Sequence, residues 1–197
     1  MTVRAHHERP ALGPAADFAE SLAVLLPHIE TETLILRAPR IEDFEVYAEI
    51  VARPEGRFLI DQPTRENAWF DFAQMTATWL LRGHGVWTVV CKADRAVPMG
   101  FVLIGFEPGD HEPELGYMFR EVAEGFGFAF EAARAARDHA FTAMDLPTLV
   151  STVDPENLRS RRLAEKLGGV RDACAEAAHH NETLVYRYQP QRVPEHA

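Results

Sequence analysis

The chain has 197 residues, 47% hydrophobic and 25% charged, which suits one compact globular domain with a real core. A formal net charge of -10 repels phosphate backbones and anionic lipid, so nucleic-acid and membrane-surface binding are disfavoured and a cationic partner is favoured. Two cysteines, Cys91 and Cys174, make no disulfide framework or zinc cluster; with no membrane-length apolar run and no signal-like start, a reducing cytoplasm is expected.

Residues 1–28 read as an extension. Phe18, Leu22, Leu25 and Leu26 recur there at helical spacing before Pro27. The spacing then predicts strands over 33–37, 86–92, 97–106 and 114–119, with helices over 41–52 and 65–82. The run 97–106 is almost continuously apolar, as in a strand buried on both faces. Further on come a long helix over 125–143, a strand over 149–153, a helix over 157–167 and strands over 170–173 and 183–188. Residues 190–197 carry Pro190 and Pro194 and read as a frayed tail. These elements form one α/β domain over 29–189, with a mixed sheet of about seven strands flanked by helices.

Two stretches carry chemistry. Between a strand and a helix lies Glu124-Gly125-Phe126-Gly127-Phe128-Ala129. Glycines there let the backbone turn tightly and aim N–H groups outward, and the helix dipole adds positive potential, so the turn suits a pyrophosphate. A P-loop is excluded because no Gly-Lys-Ser/Thr follows. A dinucleotide fingerprint lacks its third glycine, with Phe130 in that place, although Asp154 ends the next strand as a ribose-binding acid would. The second stretch opens with Asp154 as a capping residue and Pro155 at a first helical position, then runs from Asn157 through Ser160 and Arg162 to Leu167. Ser160 shares a face with Leu163, and Asn157 stands one turn earlier. Asn157 reads either as a second cap or as a ligand contact.

Taken together, these stretches resemble the GNAT superfamily of N-acetyltransferases, in particular the branch that includes the ribosomal-protein N-terminal acetyltransferases. The likeness runs from Thr31 to about Tyr188. It rests on Thr31-Glu32-Thr33-Leu34-Ile35-Leu36-Arg37 with Pro39, on Glu114-Leu115-Gly116-Tyr117-Met118-Phe119, on the Gly-x-Gly-x-Ala-x-Glu-Ala run from Gly125, and on Glu156-Asn157-Leu158-Arg159-Ser160 through Gly168. The resemblance implies a twisted mixed sheet that splays open between the 114–119 and 149–153 strands. It places the pantetheine of acetyl-CoA in that gap, against backbone near Tyr117, Met118 and Phe119. The pyrophosphate is then expected on Glu124, Gly125, Phe126, Gly127, Phe128 and Ala129, with Asn157 on the pantetheine arm and Arg162 near the adenosine phosphate.

The activity implied is acetyl transfer to a primary amine, on a protein N-terminus or a small molecule, with acetyl-CoA as co-substrate and no metal. Glu114 is the expected base, with His111 and Glu112 as alternatives, and Ser160 is expected to protonate the leaving thiolate. Three departures from the superfamily pattern stand out: Glu124 where Gln or Arg is usual, Ala164 where many relatives have tyrosine, and Gly169 in place of an aromatic. Dimers are common in the families resembled, so a homodimer is compatible. Two other readings compete: a CoA-binding sensor without turnover, and a dinucleotide-dependent oxidoreductase. Acceptor specificity is expected within 51–85, where Trp69, Phe70, Phe72 and Trp79 read either as pocket or as core. The histidine pairs His6-His7 and His179-His180 read as loop residues rather than metal ligands.

Overall fold

A computed structural model describes residues 4–178 and 182–190. The His179-His180 expectation therefore lies outside the described residues. Eight strands form one sheet: β1 (Ile29–Glu30), β2 (Leu34–Arg37), β3 (Val86–Cys91), β4 (Pro98–Gly105), β5 (Glu114–Phe119), β6 (Leu149–Val153), β7 (Val170–Arg171) and β8 (Leu184–Tyr188). Their order is β1-β2-β3-β4-β5-β6-β8-β7. All neighbours are antiparallel except β5 and β6. The strand beyond the seven expected is β1, too short to leave a periodic signature.

Six helices accompany the sheet: α1 (Pro14–Val24), α2 (Phe44–Val51), α3 (Arg65–Arg82), α4 (Phe128–Thr142), α5 (Leu158–Lys166) and α6 (Ala173–Ala178). The helix expected over 41–52 divides into a tight turn at Ile41–Asp43 and then α2. The α3 limits follow from its caps. The Thr64 hydroxyl accepts from Asn67 N–H at 3.2 Å, and Gly83 takes a left-handed φ of 74°. The strand expected over 170–173 stops at Arg171. Asp172 accepts from the N–H groups of Cys174 and Ala175 at 3.1 and 3.0 Å, which starts α6 instead.

The sheet carries a core on each face. On one side α4 lays Ala132, Ala133, Ala136 and Ala140 flat against Leu36, Val102, Ile104 and Leu115. These small side chains let the helix axis approach the sheet closely. On the other side α2 and α3 pack Phe44, Tyr47, Ile50, Phe72 and Met75 on Phe101, Leu103 and Met118. The central strand β4 is buried on both faces, as its apolar run requires. No described helix is long and apolar enough to cross a membrane.

Two polar clamps fix the α2–α3 layer. Asp43, 3% exposed, accepts from both outer nitrogens of Arg37, from Arg40 N–H and from the Thr88 hydroxyl at 2.7–2.8 Å. Glu8, also buried, takes a two-pronged bond from Arg65 at 2.8 and 2.9 Å, and Arg65 reaches on to Glu45. Arg65 thereby ties α3 both to α2 and to the N-terminal segment. By contrast, α1 buries none of its residues, and Phe18 and Leu25 are exposed.

Replacing Asp43 by Ala leaves the buried end of Arg37 and the Thr88 hydroxyl without their acceptor. We expect a loss of about 3–5 kcal/mol in urea unfolding, with an unchanged denaturant slope.

Candidate active site

The site begins where the sheet fails. β5 and β6 run parallel and meet at one register pair, Glu114 with Val150. Val150 N–H still reaches Pro113 C=O at 3.0 Å, and the Ser151 hydroxyl reaches Leu115 C=O at 2.6 Å. Beyond that the strands diverge. The opposite edge of β5 stays fully paired to β4 from Glu114 to Phe119, so its open edge points backbone groups into the gap. A cavity of about 990 Å³ occupies this gap and continues between α2, α3 and the β4–β5 loop.

The Gly125–Gly127 turn lies at one end of the cavity. Both glycines have φ of 83°, and nothing lies within 4 Å of where a Cβ would stand. α4 begins just after them, at Phe128, rather than at Gly125. The turn is therefore left-handed, with open space in front of it and a helix N-terminus behind, as an anion cradle needs. The Phe126 side chain does not line the cavity; it stands 70% exposed and stacks on Phe128 at 5.5 Å, which leaves its backbone N–H in the turn. The other residues singled out line the cavity: Glu114, Tyr117, Met118, Phe119, Glu124, Gly125, Gly127, Phe128, Ala129, Asn157, Ser160 and Arg162.

The acid in the turn is neutralised twice. One carboxylate oxygen of Glu124 accepts from Arg53 at 3.0 Å and from Arg159 at 2.6 Å. Burial pushes this carboxyl up, but the two arginines outweigh it and hold it below the usual range. Arg53 also lies 3.6 Å from Glu55, so these arginines and acids balance, and Arg162 and Lys166 on the cavity wall supply further positive charge. A second ion pair, Arg57 with Glu156 at 2.8 Å, also joins the 53–58 segment to the β6–α5 loop.

Asn157, not Asp154, caps α5: its side-chain oxygen accepts from Ser160 N–H at 3.1 Å. Asp154 instead closes the preceding turn by accepting from Glu156 N–H at 2.7 Å. The amide nitrogen of a capping Asn keeps its two donors for a ligand. The Ser160 hydroxyl lies 3.2 Å from the Tyr117 phenol, which itself donates to Ser160 C=O at 3.1 Å. Burial pushes the Tyr117 phenol well above its ordinary value, so it stays protonated. This hydroxyl pair was not legible from the sequence, because β5 and α5 meet only in the folded chain.

At the opposite end stands Glu114. One of its oxygens accepts from Thr152 N–H at 2.9 Å, across the parting strands. Burial pushes its carboxyl up to about 8; the Thr152 N–H opposes the rise, and the negative charges of Asp110 and Glu107 add to it. The alternative bases face a neighbouring cavity. Glu112 is locked to Arg187 by two bonds of 2.6 Å, which hold it below the usual range. His111 lines the same smaller cavity, which shares Asp110, Glu114 and Thr152 with the large one. His7 meets the edge of Trp69. Among the described residues no group of three or more His, Cys, Asp or Glu could hold a metal ion.

The aromatics of α3 turn out not to line the cavity. Phe72 and Trp79 are core, Trp69 packs against the core and Phe70 is exposed. α3 contributes Asp71 and Met75 instead, and α2 contributes Tyr47 and Ile50. Tyr47, with no exposed surface, donates a very short hydrogen bond to Asp71.

Residues 33–170 match the family description "Acetyltransferase (GNAT) domain". The chain belongs to the GNAT acetyltransferase family. The uncharacterized N-acetyltransferase YnaD of Bacillus subtilis is 36% identical over 152 residues, which is 72% of this chain and 81% of YnaD. A crystal structure of an acetyltransferase from Agrobacterium tumefaciens shares 37% identity and superposes with a TM-score of 0.77, covering 84% of this chain and 95% of that one. RimJ of Mycobacterium smegmatis, solved with CoA-disulfide, has the same fold at 17% identity and a TM-score of 0.62, over 82% of this chain and 84% of its own. Membership makes this GNAT protein an acetyl-CoA-dependent acyltransferase. The antiparallel sheet with one parallel, splayed pair also rules out the dinucleotide reading, which needs a doubly wound parallel sheet.

Glu114 titrates above the value it has in an unfolded chain, so the folded state holds its proton more tightly. The stability it lends is present at low pH and is lost as pH rises from about 4.5 to about 8. Glu114→Gln should melt with the wild type at pH 4.5 and above it at pH 9, as read by thermal unfolding at the two pH values.

Proposed function

We propose that this protein transfers the acetyl group of acetyl-CoA directly to a primary amine, with Glu114 as the base and Ser160 as the proton donor to the leaving thiolate. The observation that carries the reading is the gap itself. An open strand edge joins a glycine turn flanked by basic side chains at one end to a buried, proton-holding carboxyl at the other. A thioester on a long phosphorylated arm fits that layout. RimJ, which shares this fold, was solved with CoA-disulfide, so a protein of this fold binds CoA.

Pyrophosphate oxygens accept from the N–H groups of the Gly125–Ala129 turn. Arg159 and Arg53 lie alongside, already gathered by Glu124. The pantetheine amides pair with the open edge of β5, and the Asn157 amide donates to the same arm. This brings the thioester between Glu114 and Ser160.

An alkyl ammonium has a pKa of about 10.4 and attacks only as the neutral amine. A carboxylate with a pKa near 8 is a far better base for it than an ordinary glutamate. Glu114 takes the proton and the amine nitrogen attacks the carbonyl carbon. The oxyanion draws on backbone N–H groups of β5. The tetrahedral adduct loses its second N–H proton to solvent and collapses: the C–N bond stays, the C–S bond breaks, and the thiolate takes a proton through the Ser160 hydroxyl, which the Tyr117 phenol orients. The proton lost by Ser160 is replaced from solvent.

Acetyl-CoA at about 100 times its dissociation constant should add roughly 2.7 kcal/mol to stability, and NADH should add none; thermal unfolding with each ligand reads this. A protein that binds acetyl-CoA yet releases no thiol with any amine would be a sensor rather than an enzyme. In the active protein, kcat/KM should rise with pH through about 8. Glu114→Gln should remove that limb and lower kcat by roughly a hundred- to ten-thousand-fold.

A further inference from the structure

The acceptor end of the cavity carries a charge imbalance that acetyl transfer alone does not require. Four acids from three elements line it: Asp71 of α3, Glu107 and Asp110 of the β4–β5 loop, and Glu114 at the head of β5. Several buried and half-buried acids elsewhere among the described residues have cationic partners, although Glu131 is held by Thr31 and Thr33 instead. Asp43 has Arg37, Glu8 has Arg65, Glu176 has Arg171, and Glu112 and Asp172 share Arg187. None of the four cavity acids is ion-paired to an arginine or lysine among the described residues. The hydrogen bonds they accept come from neutral donors: the Tyr47 hydroxyl to Asp71, Glu107 N–H to Asp110, and Thr152 N–H to Glu114.

These acids also act on one another. Burial pushes the Glu107 carboxyl up first, and the charges of Asp71 and Asp110 push it further. Burial likewise raises Asp71, with the Tyr47 bond opposing. Four acids that share one volume and repel across it are matched by positive charge entering from outside. They are not gathered closely enough to hold a single metal ion. Acids contributed by three separate elements suit charge distributed along an extended molecule. The surface between them is apolar, with Ile50, Met75 and Leu103 on the same cavity wall, which suits methylene groups. The site itself is defined by the cavity and by the thioester slot that opens into it; the acids define what it holds.

We propose that the acceptor is a small polycation: a primary amine that reacts at Glu114, joined by an alkyl chain to at least one further ammonium or guanidinium held by Asp71, Glu107 and Asp110. This rests on the acetyltransferase reading above and names its substrate class. The second cation makes charge-assisted hydrogen bonds in a partly desolvated pocket, and its fixed position presents the first amine to the thioester.

The test compares thiol release by the full chain with acetyl-CoA and four acceptors: n-butylamine, 1,4-diaminobutane, spermidine and an uncharged peptide with a free N-terminus. The diamine or the triamine should exceed n-butylamine by about 10- to 100-fold in kcat/KM, mostly through KM. In Glu107→Gln/Asp110→Asn that preference should collapse while acetyl-CoA still raises the melting temperature. Asp71→Asn, in which the Tyr47 bond is retained, serves the same purpose if the double variant does not fold.

Equal turnover of n-butylamine, or a preference for the peptide, would overturn the polycation assignment and leave acetyl transfer intact. A diamine preference that survives both sets of substitutions would overturn the role given to these acids. If acetyl-CoA binds and no acceptor releases thiol, the enzymatic reading falls and this inference falls with it.

Discussion

A single register pair between β5 and β6 is the constraint on which the rest of the site depends. A parallel pair with full pairing would have sealed the sheet and satisfied its own backbone. Here the strands meet at Glu114 and Val150 and then separate, and the side chains of Ser151 and Glu114 bridge the junction with bonds to Leu115 C=O and Thr152 N–H. The gap is thus pinned at its narrow end by hydrogen bonds rather than left to fray. Glu114 belongs to the pin and is also the proposed base. Its position in the wedge removes it from water, and that removal is what raises its proton affinity.

Charge is distributed along the cavity with opposite signs at its two ends. At the glycine turn Glu124 is flanked by Arg53 and Arg159, so the residue that looked unfavourable for an anion gathers two cations around itself. At the acceptor end the acids have no such company. An overall charge of -10 would by itself repel a CoA phosphate. Basic side chains beside the turn and acids around Glu114 divide the cavity's charge between its ends, which favours the proposed placement of phosphates and amine.

Much of this was legible in the sequence where a signal is local. The limits of α3, β5 and β6 follow from caps, alternation and breakers within a few residues, and the glycine turn declares itself by composition. Other features were misread although a local signal existed. Asp172 followed by an alanine-rich run is a helix start, yet the preceding Val170-Arg171 suggested a longer strand. Asn157 sat three residues before Ser160, the usual spacing for a cap, but Asp154-Pro155 offered a competing one. What no pattern could show is convergence. Asp71 stood among aromatics that drew attention to themselves and then went to the core or, for Phe70, to the surface. Its meeting with Glu107, Asp110 and Glu114 exists only after α3 has docked on the sheet. The Tyr117–Ser160 pair is hidden for the same reason.

The Glu8–Arg65 clamp changes how the acceptor wall can be treated as a module. Glu8 lies outside the stretch from 33 to 170 that matches the family, yet it is 4% exposed and holds the helix that carries Asp71. The wall and its fastening come from separate parts of the chain. Transplanting this protein's acceptor preference onto a relative would therefore mean moving α2, α3 and the segment around Glu8 together. With the helices alone, Arg65 would keep only its bond to Glu45, and the angle at which Asp71 enters the cavity would no longer be set by the same clamp.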